Sequence, residues 1–355
     1  MYGLGFLKAK ANRAILRGSL FALFSFFNKG LNFFLLIVIA NYLTPDAYGE
    51  LSLFTTLLTL IGYVICLSSE GYAAVSYFKE SESQYQSIIS SVFFLSCVIF
   101  LLLCGVVYIS SIFTDKLFDL TISEVYSALL ISFFSIFVHV GLDYFRVKEK
   151  IFTYGKFCCS YALLNFILTL LLIANFHTGW YGRIYALTVS SMIYALFALF
   201  VFIKEHRFSF HSISSSSLKK IIFWGLPLIP HLASTWIKQG GDRYIIKANY
   251  DISEVGIFSF ALNLVNILCM LGVAFNSSNS VDIYKLLSNP TDATFARLHG
   301  YTKKMLLLYA VISITLIIVC MLLIPLLLLR YTESLTFFVL LVPDGYSKCI
   351  YFLYC

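Results

Sequence analysis

Ten apolar stretches divide the chain, at residues 18–42, 50–77, 87–111, 126–147, 153–175, 181–203, 221–248, 254–281, 303–329 and 335–355. Each is 21 to 28 residues long, and a helix needs about 20 apolar residues to cross the hydrocarbon core of a bilayer. That core offers no water to backbone amides, so only helices or closed barrels span it. The stretches are too long for barrel strands and lack their strict alternation. Composition agrees: 60% of the 355 residues are hydrophobic and 12% charged, against roughly 25% charged in an average soluble domain. A soluble enzyme and a disordered tail are excluded. A net charge of +7 rests on too few charges to form a nucleic-acid surface. The expected fold class is an all-α polytopic membrane protein of about ten transmembrane helices, with no room for an extramembrane domain.

Lys8, Lys10, Arg13 and Arg17 precede the first stretch and could imitate a secretory signal. Signal cores run ~7–15 residues, whereas Gly18 to Tyr42 is longer and holds Asn28-Lys29. A first, uncleaved transmembrane helix is expected there. Seventeen Lys and Arg fall in connectors on the N-terminal side, including Lys79, Arg146, Lys148, Lys204, Arg207, Lys219 and Lys220. The other side holds five at most: Lys116, Arg183, Arg330, Arg243 and Lys247. By the positive-inside rule both chain ends are cytoplasmic. The nine cysteines lie mostly within apolar runs and show no metal-ligand spacing; they read as small buried hydrophobes.

The longest polar connector is KEHRFSFHSISSSSLKK, residues 204–220. Its serines and basic residues read as a flexible cytoplasmic linker. It separates an N-terminal six-helix lobe (1–203) from four helices (221–355). An internal repeat supports that division. Asn41-Tyr42, Asp46, Gly49 and Ser52 follow the first stretch, and Asn249-Tyr250, Glu254, Gly256 and Ser259 follow the seventh. Six crossings lie between the copies, so both halves enter the membrane in the same sense, as in transporters built from parallel repeats. A repeat that begins twice is expected to finish twice. The chain therefore reads as a two-lobed transporter whose second lobe is four helices long, two short of six.

Ionisable groups within the membrane are costly and normally face a cavity or a partner. Lys29 lies eleven residues into its stretch, roughly 17 Å deep at ~1.5 Å per residue, and Lys238 is at a matched position of the second half. With Asn28, Asn32, Ser234, Thr235 and Gln239 nearby, the two lysines suit an anionic, hydrated head group; local ion pairing is the other reading. Asp242, four residues beyond Lys238, is placed to neutralise it, and Arg243 adds a further cation. Glu70 is another intramembrane acid. His139 and Asp143 stand four apart, either as a proton relay or as a hydrogen-bonded structural pair. Arg146, Asp282 and Lys348 lie near stretch ends, where snorkelling accounts for them. Pro227 and Pro230 open the seventh stretch and are expected to bend it, at the place where a rocking transporter would hinge.

The run Tyr42-Leu43-Thr44-Pro45-Asp46-Ala47-Tyr48-Gly49, after a helix carrying Asn-Lys, resembles bacterial polysaccharide flippases of the O-antigen (Wzx) type. So do Gly225-Leu226-Pro227-Leu228-Ile229-Pro230, Gly241-Asp242-Arg243, Glu254-Val255-Gly256 and the segment from Gly345 to Tyr351. The resemblance runs from about residue 11 to the end. It implies the multidrug/oligosaccharidyl-lipid/polysaccharide exporter superfamily, with two six-helix lobes around a cavity that opens to each side in turn. It further implies transport of undecaprenyl-diphosphate-linked oligosaccharide across the bacterial inner membrane, with Lys29, Lys238, Arg243 and Asn28 as substrate-binding residues. Coupling to a proton or sodium gradient is expected, with Asp242, His139, Asp143 and Glu70 as candidates, and without a bound cofactor, metal or catalytic residue. A polysaccharide polymerase and a chain-length regulator are the expected partners, beside the membrane lipids. The family usually has twelve helices, and a truncated product is expected from the ten found here. A drug/cation antiporter of the same superfamily and a membrane polysaccharide-assembly enzyme or subunit are the alternatives.

Overall fold

The computed structural model describes residues 2–287 and 292–354. Its elements are α1 (Tyr2–Ala40), α2 (Pro45–Cys66), α3 (Ser69–Lys79), α4 (Glu82–Ser111), a hairpin of β1 (Lys116–Leu117) and β2 (Leu120–Thr121), and α5 (Ile122–Val147). They continue with α6 (Ile151–Leu170), α7 (Tyr181–Lys204), α8 (Ser215–Gly225), α9 (Ile229–Asn249), α10 (Ile252–Leu287), α11 (Asp292–Leu327) and α12 (Ser334–Tyr354). All ten apolar stretches are helical. Two are interrupted: the second splits into α2 and α3, the seventh into α8 and α9. Among the described residues, eight segments are long and apolar enough to span a bilayer. The α8–α9 segment and α12 fall short of that measure; α9 carries Lys238, Asp242, Arg243 and Lys247. The side chain of Asp282 lies outside the described residues.

Contacts group the chain into two compact units: Met1–Gly49 with Asp251–Cys355, and Glu50–Tyr250. Their bounds differ from the 1–203 and 221–355 division, since α1 groups with α10–α12 while α8 and α9 group with the helices from α2 to α7.

In the first unit, α1 and α12 both pack against α10. Tyr48, Phe260 and Tyr331 meet as rings, with centroids 4.7 to 5.9 Å apart. Their hydroxyls are satisfied: Asn263 Nδ2 donates to the Tyr48 oxygen at 2.9 Å, and Tyr331 donates to the Leu43 carbonyl at 3.2 Å. The repeated glycines meet here. A methyl group on Gly49 would lie 2.2 Å from the Ile252 carbonyl oxygen, and one on Gly256 would lie 1.9 Å from that of Pro45. Pro45 and Ile252 each stand four residues before the glycine of their own copy, so the contact is reciprocal. The sequence repeat is thus a local two-fold contact, and only hydrogen at both positions allows the first turns of α2 and α10 to touch.

In the second unit, α9 lies along α2. Trp236 Nε1 donates to the Thr56 carbonyl at 2.8 Å and the Tyr244 hydroxyl to that of Leu53 at 3.2 Å. Aromatic stacking ties α4 to α5, as in Phe93–Phe137 at 4.4 Å and Phe100–Phe133 at 4.7 Å. Helix starts are capped by local chemistry: Ser81 with Gln84 closes a reciprocal capping box at α4, and at α5 the Glu124 carboxylate accepts the Thr121 amide at 2.7 Å.

The 204–220 segment corrects the expectation of a flexible linker. It is a short turn followed by the first half of α8, fastened to α4 along its length. The Ser209 amide donates to Ser90 Oγ at 3.0 Å, the Ser214 amide to Ser91 Oγ at 3.4 Å, and the Ser87 and Ser217 hydroxyls meet at 2.9 Å. Arg207 pairs with Glu82 at 2.9 Å and Lys220 with Glu80 at 3.0 Å. Glu205 receives Lys148, Tyr144 and, at 3.0 Å, Lys150. Burial alone would raise the Glu205 pKa, but these three donors outweigh it and hold the carboxyl at about 2. Serine-rich composition signals a linker only when the hydroxyls and amides lack partners, and here α4 supplies them.

Candidate functional site

The interruptions of the two broken helices meet inside the second unit. At the end of α2 the backbone turns through Leu67 and Ser68, both left-handed, with φ of 48° and 52°. Neither residue is glycine, so each left-handed turn costs on the order of 1–3 kcal/mol and persists only where the surroundings enforce it. The enforcing neighbour is Gly225: a methyl group there would lie 2.1 Å from the Leu67 carbonyl oxygen. Beyond Gly225 the chain makes one tight turn, Leu226–Leu228, before α9 begins at Ile229. Pro227 lies in that turn and Pro230 in the first turn of α9, where a missing amide proton costs no helical hydrogen bond. The prolines therefore mark a break in the helix rather than a smooth bend.

Beside these breaks is a cavity of about 320 Å³. Its polar lining comprises Glu70 of α3, His139 and two serines of α5, Thr59, Tyr63 and Cys66 of α2, and Ser68 of the break itself; Leu232 of α9 adds an apolar wall. The Cys66 thiol donates to Glu70 Oε2. Ser69 Oγ, in the first turn of α3, donates back to the Cys66 carbonyl at 2.5 Å. Asp143 is one turn beyond His139 on α5 and is not among the residues that line the cavity. Two of the four candidate coupling residues, Glu70 and His139, therefore line one cavity. A carboxylate and an imidazole amid hydroxyl groups can exchange a proton or ligate a small cation. Among the described residues, no group of three His, Cys, Asp or Glu side chains is close enough to hold a metal ion.

His139 and Asp143 are not a hydrogen-bonded pair. Asp143 instead forms an ion pair with Arg146 at 2.8 Å, which ties down the arginine expected to snorkel, and Lys348 likewise pairs with Asp344 at 2.6 Å. The fourth candidate, Asp242, is on α9 and accepts the Arg243 amide at 2.9 Å. Lys238, one turn before it, is exposed and forms no ion pair among the described residues. Arg243 is turned toward α2, its guanidinium donating to Thr56 Oγ1 at 3.3 Å and to the Gln239 carbonyl at 2.9 Å. In the first unit Lys29 is exposed on α1, also without an ion pair among the described residues. The adjacent Asn28 is held through both of its oxygens by Asn32 Nδ2, at 2.9 and 3.0 Å.

Sequence reasoning missed one polar centre. Arg183, counted with a connector, is buried near the start of α7 and donates to Asn165 and, at 3.0 Å, to Thr169 of α6. A helical turn of π type follows α6 at Leu171–Asn175. The legible signal was Asn165 and Thr169 at i,i+4 inside an apolar run, one polar stripe awaiting a donor.

Comparisons with known proteins bear on the family and the fold. The chain is 23% identical over 269 residues to a protein of the Lsg locus of Haemophilus influenzae, covering 73% of this chain and 63% of that protein. It is 22% identical to an uncharacterized membrane protein of the same organism, covering 82% and 70%. The chain thus spans less than two thirds of the length of the first of these relatives. In structure it is similar to the inward-facing conformation of a multidrug resistance MATE family transporter of the MOP superfamily, with a TM-score of 0.60, 15% identity, and 95% and 80% of the two chains covered. The eukaryotic MATE transporter AtDTX14 matches with a TM-score of 0.53 at 15% identity, covering 98% and 81%. These likenesses establish a MATE-like transporter fold. The model of the polysaccharide biosynthesis protein family matches residues 16–281, well over half of the chain. With its apolar helices, MATE-like fold and this match, the chain is a multi-pass membrane protein of the polysaccharide biosynthesis protein family.

Proposed function

We propose that this protein moves a lipid-linked oligosaccharide, carried on undecaprenyl diphosphate, from the cytoplasmic to the periplasmic leaflet of the bacterial inner membrane. The product serves O-antigen or capsular polysaccharide. The observation that carries this reading is the pair of exposed lysines without ion-pair partners, Lys29 and Lys238. A lysine in hydrocarbon costs ~2.5–3.5 kcal/mol even on the lenient insertion scale, so each belongs on a hydrated path. There it supplies a cation for a diphosphate, with Arg243 and Asn28 as polar neighbours on the same helices. Membership of the polysaccharide family supports the substrate class, and the MATE-like fold supports alternating access by two lobes, 1–203 and 221–355. In this reading the N-terminus and residues 204–220 are cytoplasmic, and the helix break at Pro227 and Pro230 is the hinge. Glu70, His139 and Asp143 take up a coupling proton or sodium ion, with Asp242 as a further candidate. A polymerase and a chain-length regulator then act on the delivered sugar.

A cation antiporter is the second reading, favoured by the Glu70 carboxylate at the 320 Å³ cavity. Charge reversal separates the two. Introduced at the native locus, Lys29→Glu or Lys238→Glu is expected to abolish surface polysaccharide while membrane insertion is unchanged. Normal polysaccharide in both variants would overturn the flippase reading. Loss of resistance to cationic dyes in Glu70→Gln, with polysaccharide intact, would establish the antiporter in its place.

A further inference from the structure

Helix α8 has two distinct faces. Ser217, Ile221 and Gly225, at successive intervals of four, are buried. Ser216, Lys219, Lys220, Phe223 and Trp224 fall at i, i+3, i+4, i+7 and i+8, a single stripe, and all five are exposed. With Tyr72 of α3 they line a shallow recess of about 480 Å³. None of them lines the cavity of Glu70 and His139 or neighbours Lys29 and Lys238, so the proposed transport leaves this stripe unused.

The stripe is ordered along the helix axis. A hydroxyl and two ammonium groups occupy the first turns, and two aromatic rings follow. Lys220 is partly compensated by Glu80, at 3.0 Å, whereas Lys219 forms no ion pair among the described residues. Two cations therefore stand against one carboxylate. Phe223 is 77% exposed and Trp224 41%, although Trp224 leans on the Tyr72 ring at 5.6 Å. From Ser216 to Trp224 the stripe covers eight residues, ~12 Å at ~1.5 Å per residue. Polarity changes over that length as it does across a membrane interface, where Trp and Tyr sit at headgroup depth and lysines meet anionic lipid.

We propose that this stripe binds an anionic phospholipid of the surrounding membrane. Its phosphate lies against Lys219, Lys220 and the Ser216 hydroxyl, and its acyl chains run along Phe223 and Trp224. Charge complementarity sets the headgroup, and the rings select a lipid over a free anion, which would contact the lysines alone. Because α8 is fastened to α4 and its last residue holds the α2–α3 turn in place, a lipid seated here braces the helix break.

Native mass spectrometry of the purified full chain, titrated with phosphatidylglycerol, phosphatidylcholine or inorganic phosphate, tests this. Phosphatidylglycerol is expected to bind about ten-fold tighter than phosphatidylcholine, in keeping with two interfacial lysines. Lys219→Gln, at an exposed position, should lower that preference, and Lys219→Gln with Lys220→Gln should remove it. Phe223→Ser should weaken both lipids and leave the preference between them unchanged. Undiminished preference in the double variant would overturn the proposal. So would displacement of the lipid by millimolar phosphate together with normal binding in Phe223→Ser, which would mark a small-anion site. Neither result depends on whether the protein flips oligosaccharide.

Discussion

Gly49 and Gly256 illustrate how a single hydrogen atom decides packing. Alanine is preferred to glycine within a helix by ~1 kcal/mol, yet a methyl group at either position would fall near 2 Å from a carbonyl oxygen of the other copy. Backbone cannot give way as a flexible side chain does, and overpacking of this kind costs about 1–3 kcal/mol. Gly49→Ala and Gly256→Ala are each expected to lower thermal stability, by ~1 kcal/mol net once the helical gain is subtracted. Thermal unfolding in detergent checks this; an unchanged or raised midpoint in both variants would contradict the reciprocal contact. The glycines were legible as a repeat, because matched residues about 207 positions apart are a one-dimensional signal. That they touch each other was not, since sequence similarity between two segments carries no statement of their distance. Lys29 and Lys238 were legible for a different reason: a charge inside an apolar run is conspicuous wherever the helix lies.

At the scale of elements, the helix boundaries follow hydropathy, and the departures from it are tertiary. Cys66-Leu67-Ser68-Ser69 contains no glycine or proline, so nothing local announces the left-handed break between α2 and α3. Gly225 announces its own break through Pro227, and it imposes the other through close contact. Gly225→Ala is therefore expected to destabilise the fold by about 1–3 kcal/mol and to increase hydrogen exchange at residues 66–70, on a different helix; exchange confined to α8 would contradict the coupling. The connector at 204–220 carries a similar lesson. Its serines read as solvated because composition is local, while Ser90 and Ser91, which receive its amides, lie more than a hundred residues earlier. Glu205 is its electrostatic anchor. The carboxyl is held below its ordinary value, so its contribution is complete above about pH 4.5 and is lost as pH falls through about 2. Exchange protection of residues 204–209 should decline over that interval in the wild type, and Glu205→Gln should abolish the decline. Protection that is flat in both would show that Glu205 is not the anchor.

At the scale of the molecule, the all-helical, membrane-spanning class follows from the solvent. A bilayer admits few architectures, and an apolar chain of this length with a parallel repeat narrows them further. The grouping of helices into compact units was not legible, because packing between α9 and α2 rests on contacts such as Trp236 to Thr56 that hydropathy does not encode. The candidate site was half legible. The His139–Asp143 spacing was visible on one helix, whereas Glu70 joins it only through the fold, and Arg183 was hidden by its place at the edge of a connector. The proposed transport turns on the lysines. The direct measurement is reconstitution of the purified chain in liposomes with undecaprenyl-diphosphate-linked oligosaccharide in one leaflet, the sugar reaching the other leaflet being read by an impermeant glycosidase. Transfer by the wild type is expected, falling about ten-fold or more in Lys29→Gln with Lys238→Gln, since one charge-assisted contact contributes ~1.5–3 kcal/mol. Transfer at the wild-type rate in that double variant, with the protein folded and inserted, would contradict the account.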